Sequence, residues 1–222
     1  QSLPDRQVVL WSEVAIPAID RKEIKALYIQ NNGYDSQPVV VGWCFYTLAF
    51  RLAKEHGRSV QATISVAFGC PFDGEIAPSR VAGIVRKVAA AGPREIAIAD
   101  TIGVGVPNQV KAVMAAVKAA APGMPIRLHF HDTRNTAVAN AWAGVEAGAT
   151  TIDASIAGIG GCPFAPNATG NVATEDVQYM LQRSGVETGL KLDVLIETAK
   201  WLSVKMGRTL PGLVSRAGGF PK

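Results

Sequence analysis

The strongest constraint on the fold is a regular alternation of short apolar runs and helical stretches that begins at Val60. The apolar runs are rich in β-branched residues and are predicted as strands. Between them, apolar side chains recur every three or four residues, which predicts amphipathic helices. Proline near the start and glycine after the end mark the boundaries of several helices. Strands and helices that alternate at this spacing indicate parallel βα units.

The predicted strands begin at residues 60, 95, 126 and 150, and the predicted helices cover 78–91, 107–121, 135–147, 174–184 and 192–205. Repeated βα units form either an open doubly wound sheet or a closed (β/α)₈ barrel. A closed barrel typically needs about 250 residues, whereas only about 165 residues of this chain follow the alternation of strands and helices. We therefore expect an α/β protein of the (β/α)₈ type with an incomplete barrel, namely about four C-terminal βα units followed by helices.

The first 51 residues differ in character from the rest. Trp11, Trp43 and Tyr46 fall in no clear helical or strand period, and no low-complexity linker or internal repeat marks a boundary. We divide the chain into an N-terminal segment, 1–51, and a barrel-like part, 52–222.

Composition argues against several classes of protein. Of the 222 residues, 48% are hydrophobic and 18% are charged, which is typical of a chain that builds a core. The net charge is +4, and Lys and Arg are scattered without interleaved aromatic residues, so nucleic-acid binding is not expected. The longest apolar run is shorter than the roughly 20 residues of a membrane-spanning helix, so no membrane partner is expected. Three cysteines and no visible leader peptide predict a reducing, cytoplasmic setting.

A pair of histidines is the sharpest chemical signal. The active site of a parallel α/β sheet lies beyond the carboxyl ends of its strands, and His129 and His131 lie at such an end. Because they are two residues apart on a strand, both imidazoles should point to one face. Imidazole nitrogens with a nearby oxygen ligand suit Mg²⁺, Mn²⁺ or Zn²⁺. The alternative is two partly exposed histidines that bond to loop carbonyls.

Other polar residues follow the predicted strands. Cys162 lies after a glycine-rich turn and is either a reactive thiol or a small apolar residue in a turn. Asp100 is a metal ligand, a partner of an imidazole or a helix cap. Asn171 either offers an amide oxygen to a metal or occupies a turn. Cys70 is better explained by packing, and Gly-Val-Gly at 103–105 resembles a phosphate-binding loop but lacks the Lys and Ser or Thr of a P-loop.

Four ordered motifs extend this pattern. They are Gly-Cys-Pro-Phe-Asp-Gly at 69–74, Asp-Thr-Ile-Gly-Val-Gly at 100–105, His-Phe-His-Asp-Thr at 129–133, and the cysteine loop at 160–171, which Ala-Thr-Glu-Asp follows at 173–176. Together they resemble the 3-hydroxy-3-methylglutaryl-CoA lyase family, within the metal-dependent lyases and Claisen-type synthases built on a (β/α)₈ barrel. Isopropylmalate synthases of this group usually carry Asn-Asp after the His-x-His pair, whereas this chain has Asp-Thr and the long cysteine loop of the lyases.

The resemblance implies that His129, His131 and Asn171 bind a divalent cation, Mg²⁺ or Mn²⁺. It also implies that Cys162 is the catalytic cysteine on a mobile loop and that Asp100 is an acid near the metal. The implied substrate is an acyl-CoA, and the implied reaction is retro-Claisen cleavage of 3-hydroxy-3-methylglutaryl-CoA to acetyl-CoA and acetoacetate. The alternatives are a lyase for another branched hydroxyacyl-CoA and a remnant without catalytic activity.

The chain departs from the family pattern in its first part. The family's first strand carries an Arg-Asp-Gly motif, whose Asp binds the metal and whose Arg stabilises the enolate. Residues 1–51 contain only Asp5-Arg6 and Asp20-Arg21, in the wrong order and surroundings. We therefore expect a truncated or aberrant N-terminal segment and weak catalysis. An incomplete barrel also leaves sheet edges uncovered, which predicts a homo-oligomer.

Overall fold

The computed structural model describes residues 9–12, 50, 55–57, 59–161 and 170–221. Its strands are β1 (Val9–Ser12), β2 (Gln61–Ile64), β3 (Gly69–Cys70), β4 (Gly74–Glu75), β5 (Glu95–Asp100), β6 (Ile126–Phe130) and β7 (Thr151–Ala154). Its helices are α1 (Pro78–Ala89), α2 (Pro107–Ala120), α3 (Ala137–Glu146), α4 (Thr174–Arg183), α5 (Leu192–Met206) and α6 (Val214–Ala217). A 3₁₀ turn, Ile156–Gly158, lies between β7 and α4.

Five parallel strands form the main sheet in the order β1-β7-β6-β5-β2. From β2 to β7, each crossover passes through one helix and returns the chain to the neighbouring strand, as a βα repeat requires. Within the described residues, β1 and β2 are the two edges, so the sheet does not close on itself. The predicted α/β class with an incomplete barrel is confirmed.

The two faces of the sheet differ because side chains alternate along each strand. On one face, apolar strand residues join helix residues in the main core. This core includes Ile96, Ile98, Leu128, Phe130, Ile152, Val85, Val110 and Met114. The opposite face carries the small and polar residues of the same strands, which are Ala97, Ala99, Arg127, His129 and Asp153. Helices therefore cover the apolar face, and the polar face holds the candidate site.

The helix boundaries follow the predicted signals closely. Pro78 and Pro107 each take the first position of a helix, where the missing N–H would have no acceptor within the helix. The third predicted helix begins at Ala137 rather than Asn135, because Asn135 adopts a left-handed backbone with φ 57°. Gly207 ends α5 in a left-handed conformation, which glycine adopts without a steric penalty.

Two features differ from the sequence expectations. The first predicted strand, 60–67, ends at Ile64, because Val66 adopts φ 51° and the chain turns into the antiparallel hairpin β3–β4. The N-terminal segment, which showed no period, supplies β1 beside β7. The remaining residues up to 49 lie outside the described residues, and the division at residue 51 stays a prediction. No helix in the described part of the chain is both long and apolar enough to cross a membrane.

Candidate active site

The predicted histidine pair lies at the carboxyl end of β6. His129 belongs to the strand, and His131 follows it and forms an isolated antiparallel bridge with Asn171. The ring centroids of the two histidines are 5.1 Å apart, with the rings inclined at 62°. The structure therefore brings together all three residues predicted as metal ligands, although they lie up to 42 positions apart in sequence.

Two potential ligand atoms at this strand end have no partner. His131 Nδ1 and Asn171 Oδ1 are buried and accept no hydrogen bond within the described residues. The Asn171 amide is held by its other atom, because Nδ2 donates to the Ile159 carbonyl at 2.9 Å. Leaving a polar atom buried without a partner costs about 1–3 kcal/mol, which a bound cation would offset. The donor atoms present thus fit a divalent cation.

His131 is in the protonation state that a ligand requires. Burial and, to a smaller extent, the neighbouring His129 lower the pKa of His131 to about 4, although a hydrogen bond with the Thr101 backbone opposes the shift. The imidazole is therefore neutral at pH 7 and keeps a lone pair on one nitrogen.

A line of charged side chains crosses the polar face next to His129. Arg127 Nε donates to Glu95 Oε2 at 2.9 Å, and Arg127 Nη1 donates to Asp153 Oδ1 at 2.5 Å. The second carboxylate oxygen, Asp153 Oδ2, lies 3.8 Å from His129 Nδ1. Thr151 Oγ1 donates to Glu95 Oε1 at 3.0 Å. Burial lowers the pKa of Arg127, but the carboxylates outweigh burial and raise it, so the guanidinium stays charged.

Sequence reasoning missed this line of charges. Arg127 lies two residues before His129, and Asp153 lies directly opposite His129 in the register of β6 and β7. The available signal was a charged residue at alternate positions in otherwise apolar strands. Such residues share a face with the histidines and are costly to bury unless they are paired.

Asp100 holds a loop. It is fully buried, and its Oδ1 and Oδ2 accept hydrogen bonds from the N–H groups of Val104 at 3.0 Å and Gly105 at 2.8 Å. Burial raises the pKa of Asp100, while the amides of this loop and the charge of His129 oppose the rise. These amides lie in the loop before Pro107, and Val106, the N-cap of α2, has no side-chain cap hydrogen bond, so the contacts show Asp100 holding this loop and do not make it the helix cap. A catalytic role for Asp100 stays a prediction.

The same contacts correct one expectation. Gly-Val-Gly at 103–105 was a candidate phosphate-binding loop, but two of its N–H groups already bond to the Asp100 carboxylate. The Asp100 carboxyl group therefore occupies the place where a phosphate would bind. A side chain at Gly105 would also approach Asp100 Oδ2 to 3.0 Å and the Phe68 ring to 3.2 Å, so glycine serves packing here.

The two cysteines named as candidates have different outcomes. Cys162 lies outside the described residues, and its catalytic role stays a prediction. Cys70 is a buried free thiol, which agrees with the packing interpretation. The described ends of the cysteine loop approach each other closely, since a Cβ on Gly170 would lie 2.6 Å from the carbonyl oxygens of Gly158 and Gly160.

Among the described ranges, no group of three or more His, Cys, Asp or Glu residues is placed to hold a metal ion. The donor set of this part of the chain is therefore two imidazoles and one amide oxygen. Imidazole suits transition metals, and Mg²⁺ prefers charged oxygen ligands.

Comparison with known proteins places the site in a family. The HMGL-like family model matches residues 47–202. The chain belongs to the HMGL-like family. Its relatives include the (R)-citramalyl-CoA lyase of Chloroflexus aurantiacus, 45% identical over 165 residues that make up 74% of this chain and 52% of that protein. The hydroxymethylglutaryl-CoA lyase of Bacillus subtilis is 41% identical over 159 residues, 72% of this chain and 53% of that protein.

A solved structure agrees with the HMGL-like assignment. The HMG-CoA lyase of Acinetobacter baumannii, in complex with coenzyme A and 3-methylmalate, superposes with a TM-score of 0.78 at 33% identity and covers 82% of this chain and 60% of that one. The chain spans about half the length of the curated relatives it matches. The family predicted from the four motifs is thus confirmed.

Proposed function

We propose that this chain carries the histidine side of a divalent-metal site in a carbon–carbon lyase that cleaves a branched hydroxyacyl-CoA. The observation that carries the proposal is the convergence of His129, His131 and Asn171 at one strand end, with His131 Nδ1 and Asn171 Oδ1 buried and without a hydrogen-bond partner among the described residues. Mg²⁺ or Mn²⁺ is the proposed cofactor, following the family resemblance. The expected setting is cytoplasmic.

Each residue has a distinct task in this proposal. His129, His131 and Asn171 would hold the cation, which supplies positive charge against an alkoxide or enolate oxygen. The bridge between His131 and Asn171 fixes two of these side chains on opposite segments of backbone. Cys162, by resemblance, would be the catalytic cysteine on a loop that excludes water from the enolate. Asp100 would serve as the active-site acid or hold the loop before α2.

Two substrates are supported by the relatives. The first is 3-hydroxy-3-methylglutaryl-CoA, cleaved to acetyl-CoA and acetoacetate, as the hydroxymethylglutaryl-CoA lyase relatives suggest. The second is citramalyl-CoA, because a citramalyl-CoA lyase matches at 45% identity. Both are branched hydroxyacyl thioesters, so the same cation and ligands would serve either. The third alternative is a protein that binds metal without turnover.

The metal site is tested first, by Mn²⁺ titration of the full chain followed by electron paramagnetic resonance. His131→Asn should abolish binding or weaken it at least tenfold, because it removes a nitrogen ligand. The matched control is His56→Asn, since His56 is exposed and is the third histidine of the chain. Binding by the wild type and by the control, but not by His131→Asn, supports the site. An equal affinity in all three proteins would overturn it.

The substrate is tested by release of acetyl-CoA from each thioester, with Mn²⁺ or Mg²⁺ and with excess chelator as the control. Cleavage that stops with the chelator identifies a metal-dependent lyase, and the faster thioester identifies its substrate. Cys162→Ser should lower this rate if the thiol takes part in the reaction. Tight Mn²⁺ binding without cleavage of either thioester would instead favour the alternative without turnover.

A further inference from the structure

The line of charges beside His129 is asymmetric. Arg127 binds one oxygen of Asp153 at 2.5 Å, while the other oxygen faces His129 Nδ1 at 3.8 Å. Glu95 accepts from Nε of the same guanidinium and contacts neither histidine among the hydrogen bonds and ion pairs of the described residues. The network therefore has one carboxylate that faces the candidate ligand and one that does not.

The Asp153 carboxylate is held in a defined orientation. The side chains of Arg127 and Glu95 are only 9% and 8% exposed, so their ion pair is confined between strands. Register also matters, since Asp153 lies directly opposite His129 on the neighbouring strand. Because Arg127 fixes one carboxylate oxygen, the other has little freedom to turn away from the imidazole.

We propose that Asp153, oriented by Arg127, is a positioning residue that selects the Nδ1-protonated tautomer of the His129 imidazole. Nε2 then carries the lone pair and is the atom available to a cation. The 3.8 Å separation is longer than a hydrogen bond, so the contact must shorten slightly or pass through a water molecule. A carboxylate behind a ligating imidazole commonly sets its tautomer and raises its basicity. This inference rests on the proposed metal site, which it deepens.

Asp153→Asn gives a sharp test because Arg127 can only donate. The asparagine oxygen must therefore face Arg127, which turns its NH₂ group toward His129 Nδ1. Nδ1 would then have to accept, and the imidazole proton would move to Nε2, where it occupies the lone pair. Glu95→Gln is the matched control, since it removes the same charge from the same network without changing the group that faces His129.

The first readout needs neither metal nor activity. Two-bond ¹H–¹⁵N spectra of the imidazoles distinguish the two tautomers, and His129→Asn assigns the signals among the three histidines of the chain. In the metal-free protein at neutral pH, the wild type and Glu95→Gln should show His129 protonated at Nδ1, and Asp153→Asn should show it protonated at Nε2. A wild-type His129 protonated at Nε2 would overturn the proposal.

The second readout is Mn²⁺ affinity. Loss of a carboxylate behind a ligating histidine commonly costs about 10–100-fold in metal affinity. Asp153→Asn should show a loss of this size, and Glu95→Gln should stay within about threefold of wild type. An equal loss in both variants would mean that the network only stabilises the fold, and this result would overturn the proposal. If the wild type binds no Mn²⁺ but His129 is protonated at Nδ1, the metal site fails while the positioning role of Asp153 stands.

Discussion

Replacing Arg127 with methionine should destabilise the protein strongly and in a pH-dependent way. Methionine keeps an unbranched apolar stem but leaves Glu95 and Asp153 without the guanidinium that binds both. Breaking a buried ion pair by removing one partner typically costs about 3–5 kcal/mol, because a charge remains buried without compensation.

The size of the effect at each pH follows from the cost of protonation. The variant can escape the buried charge by protonating one carboxyl group. For an ordinary glutamate this costs about 4 kcal/mol at pH 7 and about 1 kcal/mol at pH 5. The loss of unfolding free energy in Arg127→Met should therefore be about 3–5 kcal/mol at pH 7 and fall to about 1–2 kcal/mol at pH 5.

Urea denaturation of the full chain at the two pH values measures this effect. The control is Arg80→Met, which breaks an ion pair with Asp73 whose side chains are 53% and 31% exposed. An exposed pair contributes at most about 1 kcal/mol, so the control should change little at either pH. A loss below 1 kcal/mol for Arg127→Met at pH 7, or one that does not shrink at pH 5, would refute the assignment of a buried charge network.

Three further predictions concern the scaffold around the site. Gly144→Ala should lower the free energy of unfolding by about 1–3 kcal/mol, because its Cβ would collide with the buried Leu128 side chain. Its control is Gly83→Ala in α1, where a Cβ has room. This variant should raise the free energy of unfolding by about 0.5–1 kcal/mol in the same denaturation assay. Asp100→Asn should cost about 1–3 kcal/mol and speed amide exchange at 104–105, since an NH₂ group would replace one of the two oxygens that now each accept an N–H. Asp176→Ala should cost about 1 kcal/mol and expose the amides at 213–214, which its carboxylate caps; unchanged exchange there would contradict this.

The βα repeat could be predicted from the sequence because it depends on apolar spacing and helix-start residues that are close together in the chain. The alternation of apolar residues in β6 and the proline starts of α1 and α2 are short-range signals, and the structure retains each of them. The hairpin β3–β4 escaped prediction because its strands are two residues long, too short for any period. Strand β1 escaped because its partner, β7, lies about 140 residues further along the chain.

In the candidate site, too, local features could be predicted from the sequence and contacts between distant segments could not. His129 and His131 were predicted because their spacing of two residues is local, whereas for Asn171 the residues left a metal ligand and a turn open, and the family resemblance implied the ligand. The Arg127 network depends on register between three strands, which no local pattern fixes. Asp100 shows the converse, since its position at a strand end suggested chemistry near the metal, while the backbone turn after it captured both carboxylate oxygens.

The charge network also bears on the proposed cation site, because no carboxylate is among the three ligands proposed from the described residues. The Asn171 amide carries no charge, and the lowered pKa of His131 keeps its imidazole neutral at pH 7, so attraction to a cation would have to come from charge nearby. Among the described residues, Glu95 and Asp153 both bind the Arg127 guanidinium, and Asp153 directs its second carboxylate oxygen toward His129. An imidazole that donates to a carboxylate is a stronger ligand than one bonded to water, and this is the contact that the proposed role of Asp153 requires of His129. The charge that holds the cation would therefore act through His129, and Arg127 would determine which imidazole nitrogen receives it.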